Sequence, residues 1–196
     1  RISPEAPVPI VLVKDEKYAA GGAANAANNV VTLGGNSFLF GVTGNDAAKD
    51  TLMNLLHKNK INSDGIIVEK NRSTIQKIRV IGQSQQLLRI DYENNGYISS
   101  HMQIIDAFKN IKPINAIVVS DYAKGTITPQ IMNEVINYST KNNIPLLVDP
   151  KPSHKNLYKN VTLITPNKKE AEELSGILIE TNKDVVTAGK KLVKEL

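Results

Sequence analysis

Three short apolar runs, INAIVVSDY (114–122), IPLLVDP (144–150) and VTLITPN (161–167), each stop abruptly in polar residues, and segments of helical spacing lie between and after them. Runs that are apolar throughout are strands covered on both faces, and strands joined through helices run parallel. The pattern confines the chain to an α/β architecture with a mainly parallel sheet, whose ligands gather at the carboxyl ends of the strands. Asp121, Asp149 and Asn167 fall at such ends. Helices are predicted over 129–138, 167–174 and 183–196.

The first half is more varied, and the 196 residues suffice for one sizeable core. PVPIVLV (7–13) reads as a strand whose prolines suit a sheet edge. A helix follows over 22–33, with Ala23, Ala27, Val30 and Val31 recurring on one side and Asn25, Asn28 and Asn29 off it. A short strand is expected over 37–41, then an amphipathic helix over 46–59 that turns Leu52, Leu55 and Leu56 inward. STIQKIRVI (73–81) and QQLLRIDYE (85–93), separated by Gly82-Gln83-Ser84, form an antiparallel hairpin.

Composition removes several classes of chemistry. The chain has no cysteine, which excludes disulfides, thiolate catalysis and cysteine-ligated zinc, and its three histidines stand too far apart for ligand spacing. The net charge of +5 comes from scattered lysines, and six tyrosines and three phenylalanines form no stacking series among them. Phosphorylated small molecules therefore suit the charge better than nucleic acid. No apolar run approaches the roughly 18 residues of a membrane span and no signal-peptide pattern opens the chain, so it reads as cytoplasmic, without a membrane partner. GxxxxGK[ST], GxGxxG and GxSxG are all absent.

The chemistry that remains begins with GGAANAANNVVTLGGNSFLFGVTGND (21–46), which sets paired glycines and Asn25 at the start of an alanine-rich helix. Small residues there let a polar ligand reach backbone amides, although a close-packed turn would use the same residues. Lys77 and Arg79 share one face of their strand. A three-residue hairpin loop sets Lys77 opposite Arg89, where an anion is needed to neutralise like charges; a two-residue loop sends the two to opposite faces. Asp121 and Lys124 can bind sugar hydroxyls and phosphate, or form a polar turn. Asp149 and Lys151 lie in a loop stiffened by Pro150 and Pro152, equally suited to a site or to structure. Asn167 and Glu170, in one helical turn, can order magnesium-bound waters or serve the helix dipole.

The glycine spacing, together with QQLLRIDYE, SDYAKG (120–125), VDPK (148–151) and TPNKKE (165–170), resembles the ribokinase-like (PfkB) carbohydrate kinases. With RISPEAPVP (1–9) included, nearly the whole chain is similar to the heptose 7-phosphate kinase branch of that family. The resemblance implies a three-layer α/β/α sandwich with a small β lid (strands near 7–13 and 74–92) that can pair into a homodimer. It implies ATP- and Mg2+-dependent phosphorylation of D-glycero-β-D-manno-heptose 7-phosphate at the anomeric hydroxyl. The 1,7-bisphosphate formed serves ADP-heptose and lipopolysaccharide core synthesis, often by an enzyme fused to an adenylyltransferase. By the same resemblance Gly21, Gly22, Asn25, Lys77, Arg79, Arg89, Asp121 and Lys124 bind the sugar phosphate. Asp149, Lys151, Asn167, Lys168, Lys169 and Glu170 bind the nucleotide, Glu170 reaching the metal through water.

The family's catalytic aspartate sits in a GxGD motif, which does not occur before Leu196, and its acidic first-strand motif does not precede Arg1. The resemblance thus implies an interior fragment, truncated at both ends and inactive alone, whose catalytic aspartate is expected beyond Leu196. Two alternatives stay open: a kinase of the same fold for another sugar phosphate or nucleoside, and a non-catalytic dimerisation module.

Overall fold

The computed structural model describes residues 3–7, 10–82, 84–111 and 113–196. Its elements follow in the order α1 (Gly22–Thr32), β1 (Phe38–Thr43), α2 (Ala47–Lys58), β2 (Asn62–Val68), β3 (Gln76–Gly82), β4 (Gln85–Tyr92), α3 (His101–Lys109) and β5 (Ile117–Ser120). The second half continues with α4 (Pro129–Asn142), β6 (Leu146–Asp149), a 3-10 turn (Pro152–Leu157), β7 (Leu163–Ile164), α5 (Lys168–Ser175) and α6 (Asn182–Glu195).

β1 pairs with β2, β5 with β6, and β6 with β7, all in parallel; β3 and β4 form a separate antiparallel hairpin. Alternation along β1 and β2 assigns their side chains to two cores. Leu39 and Ile66 join Ala24, Ala27 and Leu56 under α1 and α2. Phe40, Val42 and Ile67 face the opposite way, into the larger core of Ile104, Ile105 and Phe108 from α3, Met132 and Val135 from α4, and Leu146 and Val148 from β6. Helices therefore cover both faces, giving the three layers expected.

Local chemistry sets the helix ends. The Asp46 carboxylate accepts from Lys49 N–H (2.9 Å) to start α2, while Thr128 accepts from Ile131 N–H (3.2 Å) and Pro129 opens α4. Asn143, at φ +53°, stops α4. The inward residues of α1 are Ala23, Ala24, Ala27 and Val31, and Val30, expected among them, is 39% exposed.

Two elements depart from expectation. Residues 10–21 form neither helix nor strand, and Leu12 and Val13 are each 72% exposed; Val8 and Pro9 lie outside the described residues. Pro7 lacks the N–H that a ladder requires, and nothing among the described residues pairs with the segment. Conversely, β2 arises from NSDGIIV, whose polar opening hides a strand. Gly65 is required there, because a Cβ would lie 2.4 Å from the Phe40 ring.

Leu196 has a packing role. It caps α6 at the carboxyl end, its side chain rests against the larger core, and its carbonyl accepts from Asn160 N–H at 2.6 Å. It takes no part in the polar rim described next.

Candidate functional site

The polar loops at the carboxyl ends of β2, β5 and β6 converge on one rim. At its centre Asp121, one residue past β5, is 1% exposed. Its Oδ2 accepts from the Tyr158 hydroxyl (2.7 Å) and lies 2.6 Å from His154 Nδ1, while Oδ1 accepts from Ala123 N–H (2.7 Å). Both oxygens are engaged within the protein, whereas the expectation from the sequence is a contact with an acceptor hydroxyl. Asp121 turns inward because Tyr158, wholly buried, needs an acceptor for its hydroxyl. Burial, reinforced by the Asp121 charge, pushes that hydroxyl far above the usual tyrosine range, although Lys151 N–H opposes the shift, so it stays a proton donor. The same oxygen accepts from Lys151 N–H (2.9 Å), tying the loop after β6 to the loop after β5.

On the predicted nucleotide side, Lys151 Nζ donates to Glu170 Oε1 at 2.5 Å. Glu170 Oε2 accepts from Asn167 N–H and Asn167 Oδ1 from Glu170 N–H, each at 3.0 Å, a reciprocal cap that opens α5. Asn167 and Glu170 are thus together, as their spacing predicts, with the cap engaging both. Asp149 ends β6; burial first, and then the Glu170 charge, raise its carboxyl despite Lys151. Burial also raises Glu170, but its bonds to Lys151 and Asn167 outweigh this and lower it. Glu170 takes the ion pair with Lys151, and Asp149 feels the same ammonium only at longer range. Among the described residues no cluster of three potential metal ligands exists. Lys168 and Lys169 do not join this group. Their side chains are 66% and 85% exposed and approach Glu172 (4.0 Å) and Glu173 (3.8 Å) along α5.

On the acceptor side, Gly22 opens α1 at φ +54°, and a Cβ there would lie 3.4 Å from Tyr122 Cε2. Gly21 caps the helix with no side-chain bond; Ala24 N–H donates to its carbonyl at 3.1 Å, leaving the Gly22 and Ala23 N–H groups available to a ligand. Asn25 is exposed beside them.

The hairpin resolves the question of register in a way neither loop length anticipates. Gly82 pairs with Gln85, a two-residue connection whose Gln83 lies outside the described residues, but an irregularity between Val80 and Ile81 shifts the pairing. Arg79 consequently faces Arg89, and Lys77 faces Asp91. This corrects both positions expected for Lys77 relative to Arg89. Lys77 Nζ donates to Asp91 (3.2 Å) and Glu93 (2.7 Å), and Arg89 Nε pairs with Asp91 at 2.9 Å. No ion pair of Arg79 occurs among the described residues. Lys124 Nζ donates to Glu93 Oε2 (2.5 Å) and Asn95 Oδ1 (3.1 Å). Lys124 and then Lys77 hold the Glu93 carboxyl down at about 2. Sequence reasoning overlooked Glu93, although its alternation with Arg89 and Asp91 marks one strand face.

A further brace supports the rim. Glu69 Oε1 accepts from Ser99 and Ser100 N–H (2.7 and 2.8 Å), and Oε2 pairs with Arg72, whose other nitrogens reach Gly96 and Lys124 carbonyls. Burial raises the Glu69 carboxyl, but the bonds from Ser100, Ser99 and Arg72 outweigh it and lower the value from 4.5 to about 2. A carboxyl depressed in the folded state stabilises it above the unfolded value and ceases to do so as pH falls through the folded one. Urea unfolding should show stability declining between pH 4.5 and 2, with Glu69→Gln flattening the decline by on the order of 2 kcal/mol. An unchanged pH slope in the variant would refute this role.

Comparison with known proteins bears on the family and the fold. Bifunctional protein HldE of Aliarcobacter butzleri is 44% identical over 195 residues, covering 98% of this chain and 41% of that protein. The protein of the same name from Sulfurimonas denitrificans is 41% identical over 198 residues, covering 100% of this chain and 42% of its own length. The chain thus spans about two fifths of these curated relatives. Arabidopsis thaliana ribokinase, solved with ribose and ATP, superposes with a TM-score of 0.68 at 18% identity, over 90% of this chain and 57% of that one. Escherichia coli phosphofructokinase-2, solved with substrates and products, gives 0.69 at 20%, over 89% and 57%. These likenesses identify the fold as ribokinase-like. The profile of the pfkB family carbohydrate kinases matches residues 2–196, and the chain belongs to that family.

Proposed function

We propose that the chain forms part of a kinase that transfers the γ-phosphoryl group of ATP, with Mg2+, to the anomeric hydroxyl of D-glycero-β-D-manno-heptose 7-phosphate. The observation that carries the reading is Arg79 directly opposite Arg89, on the hairpin face from which Glu93 reaches Lys124. Like charges in register repel, and a sugar phosphate in charge-assisted hydrogen bonds would neutralise both. Gly21, Gly22 and Asn25 contact the sugar hydroxyls; Lys151 and Asp149 face the nucleotide, with Asn167 and Glu170 ordering metal-bound water. Lys124 supports the acceptor side through Glu93. Phosphoryl transfer relies on such positioning and charge neutralisation. None of the residues named here is assigned as the base for the anomeric proton.

The opposite hairpin face exposes Ile78 (41%), Leu88 (55%), Ile90 (41%) and Tyr92 (47%), which supports a lid-to-lid homodimer. Sedimentation at twice the monomer mass checks it. Among the described residues no helix is long and apolar enough to cross a membrane, and we place the activity in the cytoplasm, where ATP is supplied.

The test is phosphorus NMR of the intact gene product incubated with ATP, Mg2+ and either heptose 7-phosphate or fructose 6-phosphate. A new anomeric phosphate on the heptose is expected. Faster conversion of fructose 6-phosphate would replace the heptose reading with another sugar-phosphate kinase.

A further inference from the structure

Tyr122 lies between the two halves of the site and belongs to neither predicted set. Its neighbour Asp121 is buried and bonded through both oxygens. The next residue, Ala123, adopts the left-handed conformation at φ +52°, unusual for a residue with a side chain. Gly125, at φ +88°, packs so closely that a Cβ would lie 1.9 Å from the Gly96 carbonyl oxygen. A loop fixed at three points thus presents one aromatic ring that stays 47% exposed. That ring borders Gly22 at the amino end of α1, and Lys151 Nζ stands 5.9 Å from its centroid.

We propose that Tyr122 is a specificity residue that partitions the cleft, its ring bearing on the acceptor sugar at the Gly22 side while restraining the Lys151 ammonium on the nucleotide side. An aromatic ring suits both duties. Its apolar body can lie against the C–H groups of a pyranose, and its electron-rich face attracts a cation. The loop spends backbone strain on an exposed side chain, which packing alone does not require. The inference rests on the kinase reading above and adds to it a residue that sets the distance between acceptor and nucleotide.

Steady-state kinetics of the intact gene product carrying Tyr122→Ala, Tyr122→Leu or Tyr122→Phe provides the test. Alanine and leucine should raise the acceptor KM about tenfold and the ATP KM about threefold, whereas phenylalanine, which keeps the ring, should stay within about twofold of wild type. If alanine prevents folding, leucine and phenylalanine decide, since they differ in aromaticity while both fill the space. An acceptor KM within about twofold of wild type in the folded leucine or alanine variant would overturn the partition. A wild type that prefers another sugar phosphate overturns the heptose reading instead; the same variants assayed on that acceptor then decide the role of Tyr122.

Discussion

Asp121→Ala is expected to destabilise the protein by about 3 kcal/mol, because buried polar groups deprived of their acceptor cost roughly 1–3 kcal/mol each. The change leaves the Tyr158 hydroxyl, in a fully buried position, only the more distant Lys151 carbonyl (3.3 Å) as an acceptor, and releases His154 and the Ala123 N–H. Tyr158 still accepts from Lys151 N–H but no longer ties it to Asp121, so the loops after β5 and β6 should loosen together. Urea unfolding measures the first effect. Amide exchange at Ala123 and Lys151 measures the second, and protection equal to wild type at both would contradict the anchor. Asp121→Asn should lose less, since its side-chain oxygen can still accept from Tyr158. A destabilisation below about 1 kcal/mol for alanine would mean that the loop finds other partners.

The largest effect on activity is expected from Arg79→Ala combined with Arg89→Ala. Loss of two charge-assisted contacts to one phosphate should raise the sugar-phosphate KM about 100-fold, roughly 2.7 kcal/mol, and leave the ATP KM within twofold. The single variants need not divide this evenly. Arg89 already pairs with Asp91, whereas Arg79 has no ion pair among the described residues, so Arg79→Ala should be the costlier of the two. Replacement by lysine keeps charge but not the planar fork, and should recover only part of the affinity. Equal loss of affinity for sugar phosphate and ATP would move the phosphate site elsewhere.

Much of this fold is legible in the sequence because its apolar runs leave one packing solution. β5 and β6 lie within INAIVVSDY and IPLLVDP, and the hairpin follows from two β-rich segments flanking Gly82. β2 was not legible, since Asn62, Ser63 and Asp64 look like a turn until Gly65 is seen passing under Phe40. α3 also escaped notice, although Ile104, Ile105 and Phe108 carry helical spacing within a short segment. In the site, residue types at strand ends located the rim but not side-chain direction. Asp121 has the chemistry of a sugar ligand and the environment of a core anchor, and only the buried Tyr158 separates the two. Pairing of Arg79 with Arg89 depends on a single irregularity in the ladder, which no pattern of side chains announces.

Glu93 divides its carboxylate between Lys77 of the hairpin and Lys124 of the loop after β5. The two elements are therefore coupled through one carboxylate. A hairpin grafted onto another scaffold of this architecture would arrive with Glu93 missing one ammonium partner, and the recipient's loop would need a lysine at the position of Lys124 before the graft could seat as it does here.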